Sequence, residues 1–143
     1  MAISLFIAGD VVPKGITSEV FVRKGKQIFE EIRPFVEDSD FSIVNFEAPI
    51  IEDRTTPIRK SGPCLDVAPS TIEVLKNAGF GIFTLANNHL FDQGQEGVEN
   101  TINKARECGI LVVGGGQKCI RSEKAIDVGT KRKAYRHHQC MRA

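Results

Sequence analysis

Short apolar runs, four to six residues long, recur along this chain, and stretches with helical spacing lie between them. The runs are residues 3–8, 41–46, 82–86 and 110–113. They are mostly apolar rather than strictly alternating, which marks strands covered on both faces, as in a parallel sheet between helices. The first run is therefore read as a buried strand stopped by Gly9-Asp10. Residues 27–36 place Ile28, Ile32, Phe35 and Val36 at helical spacing, with Pro34 expected to end or kink the helix. Ser70 reads as the N-cap of a helix through Asn77, with Glu73 completing a capping box and Gly79 closing it. Residues 96–108 set Val98, Ile102 and Ala105 on one helical face ahead of Gly109. Residues 51–69 are rich in proline and charge and read as loop. A fifth strand is expected to begin at residues 124–128. The pattern predicts an α/β chain with a parallel sheet.

Size and composition set limits on this reading. A chain of 143 residues is long enough for one domain with a real core. Its apolar runs are too short to cross a bilayer. The N-terminal run lacks the basic stretch and the length of a secretory signal, so a cytoplasmic location is expected. Cys64, Cys108, Cys119 and Cys140 form no C-x-x-C pair and match no zinc framework; free thiols are expected. Five of the 19 basic residues, Lys131, Arg132, Lys133, Arg136 and Arg142, fall after residue 130, where there is no acid. The body is thus mildly acidic and the tail basic.

Polar side chains close the first three strands. Asp10 follows the first, Asn45 and Glu47 close the second, and Asn87, Asn88 and His89 close the third. His89 is the single histidine before residue 137. The carboxyl ends of parallel strands are where α/β sheets build their sites. If the three strands are neighbours, at about 4.8 Å spacing, their oxygens and imidazole converge on one patch. Carboxylate, amide and imidazole together suit Mn²⁺, Fe, Zn²⁺ or Mg²⁺. Each motif has a plainer reading: Gly-Asp and Asn-Asn are common turns. Gly114-Gly115-Gly116-Gln117-Lys118 could wrap an anion but lacks Walker spacing, so a tight turn is the better reading. Lys60 is read as either a solvated lysine or a contact for an anionic substrate.

Taken in order, Ile7-Ala8-Gly9-Asp10-Val11, Val44-Asn45-Phe46-Glu47-Ala48-Pro49 and Leu85-Ala86-Asn87-Asn88-His89-Leu90-Phe91-Asp92-Gln93-Gly94 resemble the successive motifs of the CapA family of capsule and poly-γ-glutamate biosynthesis proteins. Lys60, Leu75-Lys76-Asn77-Ala78-Gly79-Phe80 and the later glycines fit the same pattern over roughly residues 3–120. The resemblance implies a calcineurin-like metallophosphoesterase fold, a sheet sandwich flanked by helices, of which this chain holds the N-terminal part. It implies Asp10, Glu47 and Asn88 as metal ligands and His89 as the proton-donating or charge-stabilising catalytic group. Asn45, Asn87, Asp92 and Lys60 would support the site or meet substrate. The complete domain would hold up to two divalent ions and act on a phosphoester or anionic polymer.

Two departures qualify this. Asp10 is followed by Val11 and Val12, so the usual Asp-x-His opening is missing. Past residue 128 the sequence matches nothing expected of the family and reads as a shifted frame or premature end. The expected division is therefore a CapA-like portion at 1–128 and a basic, disordered tail at 129–143. His137 and His138 are adjacent and are not expected to replace lost ligands. A metal-dependent hydrolase is implied only for a completed site; the chain as it stands is expected to be inactive and prone to self-association. The second reading is a non-catalytic module that keeps the fold and binds a partner. Nucleic-acid binding through the tail ranks below both, and no nucleic acid is expected.

Overall fold

The computed structural model describes residues 2–52 and 55–115. The expected fifth strand, the basic tail, Cys119, Cys140, His137 and His138 lie outside the described residues. Four strands, β1 (Leu5–Val11), β2 (Phe41–Phe46), β3 (Ile82–Thr84) and β4 (Leu111–Val113), form one sheet in the order β1-β2-β3-β4. All three pairings are parallel, as the apolar runs predict. Helices α1 (Ile16–Lys24), α2 (Arg33–Asp38), α3 (Ser70–Asn77) and α4 (Gly94–Glu107) fill the connections. The result is α/β, a parallel sheet flanked by helices, consistent with part of a metallophosphoesterase-like fold. Among the described residues no helix is long and apolar enough to cross a membrane.

One face of the sheet carries the core. Val44, Phe46, Phe83 and Leu85 are fully buried and cluster with Ile72 and Leu75 of α3 and Val98 and Ala105 of α4. The rings of Phe46 and Phe83 stack at 5.1 Å. Phe21 of α1, Phe29, Phe80 and Phe6 of β1 form a chain of ring contacts that ties the first helix to the sheet. Burying one such ring contributes about 1.5–3 kcal/mol, so this face holds most of the sheet's packing energy. The other face carries Ile7, Ile43, Ile82 and Leu111 in register across all four strands. None of these four joins the core cluster. Ile7 is 68% exposed and its face-mate Leu5 49%.

Several local expectations are corrected. β1 is a half-exposed edge strand, not a buried one, and it runs through Gly9-Asp10 to Val11 rather than stopping there. Its burial was inferred from apolar character alone, but the described residues cover only one side of it. The helix expected over 27–36 is a short 3₁₀ segment, Gly25–Phe29, followed by α2. Pro34 sits in the first turn of α2, where its missing N–H costs nothing. The capping box at Ser70 does not form: Pro69 is the N-cap without a side-chain cap bond. Glu73 instead accepts from Lys104 of α4.

Candidate functional site

A bulge in β1 aims the first site residue. Ile7 pairs with Ile43 and Asp10 with Asn45, so β1 spends one more residue than β2 between the two pairs. Without that extra residue Asp10 would point to the core face. With it, Asp10 shares the open face with Asn45, and a bulge of this kind is a recurrent way of re-aiming a side chain beside a site. Gly9 within the bulge has no Cβ to place.

From Asp10 a line of hydrogen bonds crosses the strand ends. Asn45 Nδ2 donates to Asp10 Oδ1 at 2.6 Å. Asn45 Oδ1 accepts from Thr84 Oγ1 at 3.2 Å and from Asn87 Nδ2 at 3.3 Å. Asn87 Nδ2 also donates to the Phe46 carbonyl at 3.0 Å. Asn87 Oδ1 accepts the backbone N–H groups of His89 and Leu90, at 3.1 and 2.9 Å. Every amide in this line has its polarity set by its partners, since Asn87 meets a carbonyl on one side and N–H donors on the other. Asn87 thus folds the turn that presents His89, an Asx turn in which the side chain does what a backbone carbonyl would.

His89 is held from behind. Its Nδ1 lies 2.7 Å from Asp92 Oδ2. The Asp92 side chain is 1% exposed, and Lys60 Nζ donates to its Oδ1. The Leu65 N–H donates to Oδ2 at 2.7 Å. Burial raises the carboxyl's pKa, but the hydrogen bonds from Lys60, His89 and Leu65 and the attraction of the Lys60 charge outweigh it, so Asp92 is held below its ordinary value. A carboxylate only accepts, so His89 Nδ1 carries a proton toward it. Among the described residues no hydrogen bond reaches Nε2, and no buried side-chain polar atom lacks a partner. The His89 side chain as a whole keeps 16% of its surface exposed.

The structure thus draws Asp10, Asn45 and Asn87 into one network and His89, Asp92 and Lys60 into another. The Asn87 turn joins the two. Glu47 continues the β2 side of the ladder, its N–H donating to the Val11 carbonyl at 3.4 Å, and Asn88 is exposed. No side-chain hydrogen bond ties either of them to the networks. The donors suit a hard cation in kind. In number they fall short: among the described residues no three His, Cys, Asp or Glu side chains gather closely enough to hold a metal ion.

Thr84 and the Leu65 N–H were missed from sequence. Thr84 had a detectable signal, being the last residue of β3 on the Asn45 face. A backbone N–H has none. Of the expected Gly114–Lys118 turn, Gly116, Gln117 and Lys118 lie outside the described residues; Gly114 and Gly115 both have positive φ, at 79° and 78°. A Cβ on Gly114 would stand 2.8 Å from Ala86 Cβ, just ahead of the Asn87 turn.

A family model described as bacterial capsule synthesis protein matches residues 4–141. The chain belongs to that family. It is 28% identical over 118 residues to the capsule biosynthesis protein CapA of Bacillus anthracis, a match that covers 80% of this chain and 29% of that protein. With the PGA biosynthesis protein CapA of Bacillus subtilis (strain 168) it shares 26% identity over 125 residues, or 87% of this chain and 33% of the relative. A probable polyglutamine synthesis accessory protein of Mycobacterium tuberculosis is 28% identical over 97 residues, covering 66% of this chain and 25% of its own length. The chain therefore spans about a third or less of these relatives. The CapA resemblance drawn from the motifs stands.

Proposed function

We propose that this chain supplies one wall of a phosphoester-handling site used in making or processing an anionic capsule polymer such as poly-γ-glutamate. The observation that carries the reading is His89: its Nδ1 faces the buried Asp92 carboxylate at 2.7 Å, and no described residue bonds its Nε2. That is the arrangement a proton-transfer imidazole needs, with one nitrogen orienting the ring and the other meeting substrate. In this reading the bare Nε2 of His89 first takes a proton from the attacking water and then passes it to the leaving oxygen, with the Asp92 carboxylate stabilising the imidazolium in between. Asn87 sets the height of the ring by folding its turn, and Asn45 steadies the Asp10 carboxylate.

A divalent cation (Mn²⁺, Fe, Zn²⁺ or Mg²⁺) belongs to the proposal, with Asp10, Glu47 and Asn88 as its ligands. If bound there, such an ion would polarise a phosphoryl oxygen and activate water. The donors among the described residues are too few for two ions, so weak binding of a single ion and little turnover are the expected behaviour. The sparse donor set favours a second reading, a non-catalytic module that keeps the fold and binds a partner. Calorimetric titration with Mn²⁺ beside turnover of a chromogenic phosphodiester, with His89→Ala as control, separates the two. Turnover that depends on Mn²⁺ and vanishes in His89→Ala supports the hydrolytic reading. No binding and no turnover leave the module reading in its place.

A further inference from the structure

Asp92 joins two pieces of chain, the loop of residues 55–65 and its own His89 turn. Its side chain accepts from Lys60, from the Leu65 N–H and from His89. Its backbone carbonyl accepts the Ile58 N–H at 2.9 Å. Four residues of the polypeptide thus meet at one buried carboxylate residue, and two of the bonds share Oδ2. Lys60 is the sole donor to Oδ1 among the described residues, and it reaches Oδ1 from a loop 32 positions away in sequence. Its ammonium also lies 3.3 Å from His89 Nδ1. That second approach is not a hydrogen bond once Nδ1 carries its own proton, because two donors then face each other. The 2.7 Å contact to Asp92 Oδ2 decides the question, since two bare acceptors would not approach so closely.

We infer that Lys60 is a positioning residue: by holding Asp92 Oδ1, it fixes the carboxylate so that Oδ2 faces His89 Nδ1, which sets the imidazole tautomer and leaves Nε2 bare toward the strand ends. This rests on the reading of His89 as the proton-carrying group, and it assigns the Lys60 ammonium to the protein's interior rather than to substrate. The physical basis is the cost of a bare buried acceptor. Without Lys60, Oδ1 has no donor, and the carboxylate gains by turning or by drawing a different proton arrangement from the ring. A free imidazole has no comparable preference for keeping its proton on Nδ1. The loop of residues 55–65 and the His89 turn consequently act as one unit.

The test is the long-range ¹H–¹⁵N spectrum of the full chain at about pH 8, where an ordinary imidazole is neutral, with the His89 signals identified by their loss in His89→Gln. The wild type should show His89 with a single proton, on Nδ1. Lys60→Met should lose that signature, with the proton shared between the nitrogens or moved, and Lys60→Arg should restore it. Melting curves recorded in parallel show whether each variant is folded. If Lys60→Met does not fold, Lys60→Gln is read in its place. A wild-type His89 carrying its proton on Nε2 overturns the inference without any variant. An unchanged Nδ1–H signature in a folded Lys60→Met, or no restoration by arginine, overturns it equally. The spectrum is read without metal or substrate, so a chain that turns nothing over can still pass or fail.

Discussion

On one face of the sheet Val44, Phe46 and Phe83 are completely covered, while on the other Leu5 and Ile7 stand 49% and 68% exposed. The residue types are alike, and neighbours along the same strand separate the two environments. Alternation sends Phe6 to the packed side and Ile7 to the open side. A strand's apolar character therefore says that a face can be buried, while the layer that buries it comes from elsewhere in the chain. Here the described helices supply that layer on one face only. The candidate site belongs to the open side: Asp10, Asn45 and Thr84 continue the same face as Ile7, Ile43 and Ile82. Its members are anchored inward, through Asn87 to the Phe46 carbonyl and through Asp92 to the Leu65 N–H.

The largest effect should come from the packed face. Phe46→Ala or Phe83→Ala removes one ring of a stacked, fully buried pair. Each should cost about 3–5 kcal/mol in urea denaturation. The comparison breaks if Ile7→Ala costs as much, because Ile7 would then be covered in solution.

Asp92→Asn comes next. It removes the charge that Lys60 and His89 both meet, and breaking a buried pair by one partner costs about 3–5 kcal/mol at the upper end. The sign of its pH dependence follows from the direction of the shift. Asp92 titrates below its ordinary 3.8 in the folded chain. Its stabilisation is fully present above that value and is lost as pH falls through the lower, folded one. The gap in stability between wild type and Asp92→Asn should therefore be constant near neutrality and close below about pH 4. A gap that stays constant down to about pH 2 would show that Asp92 is not the charged staple described here.

Gly114→Ala should cost about 1–3 kcal/mol. It forces a Cβ into a positive φ and against Ala86. It should also disturb the Asn87 turn, read as shifts in the His89 and Leu90 amide signals. A neutral result would mean that the β4 turn can move off β3 freely.

How far these contrasts could be read from the sequence differs by element. β2 was legible residue for residue and α3 to within its cap, because Phe41–Phe46 and Ser70–Asn77 are bounded by strong punctuation and buried by their own neighbours. α1 was missed: Ile16–Lys24 buries none of its residues, so no apolar stripe marks it. The parallel order was legible from alternation, whereas the bulge at Ala8-Gly9 was not, since it depends on the register with β2. At the site, the residue types of Asp10, Asn45, Asn87 and His89 were visible. Most of their partners were not, because Asn45 reaches Asp10, and Lys60 and Leu65 reach Asp92, from distant segments. Lys60 was read as either a solvated lysine or a substrate contact, and only the fold reveals Asp92 beside it.

The smallest effect, and the one that bears most directly on the open face, is expected for Ile7→Lys. Ile7 makes no contribution to the core cluster, so its loss should change stability by no more than about 0.5 kcal/mol, as for an ordinary surface position. Among the described strands β1 is also one edge of the sheet, beside an exposed apolar face. Edges and faces of this kind pair with other chains, and lysine is a common guard against it. Light scattering of the wild type should then show concentration-dependent self-association, and Ile7→Lys should reduce it without lowering the unfolding midpoint. A wild type that stays monodisperse and monomeric at high concentration, combined with an Ile7→Lys variant that is destabilised by several kcal/mol, would reverse the contrast between the two faces. The open side would then be a second core, and Asp10 and Asn45 would lie at its rim rather than on a bare sheet.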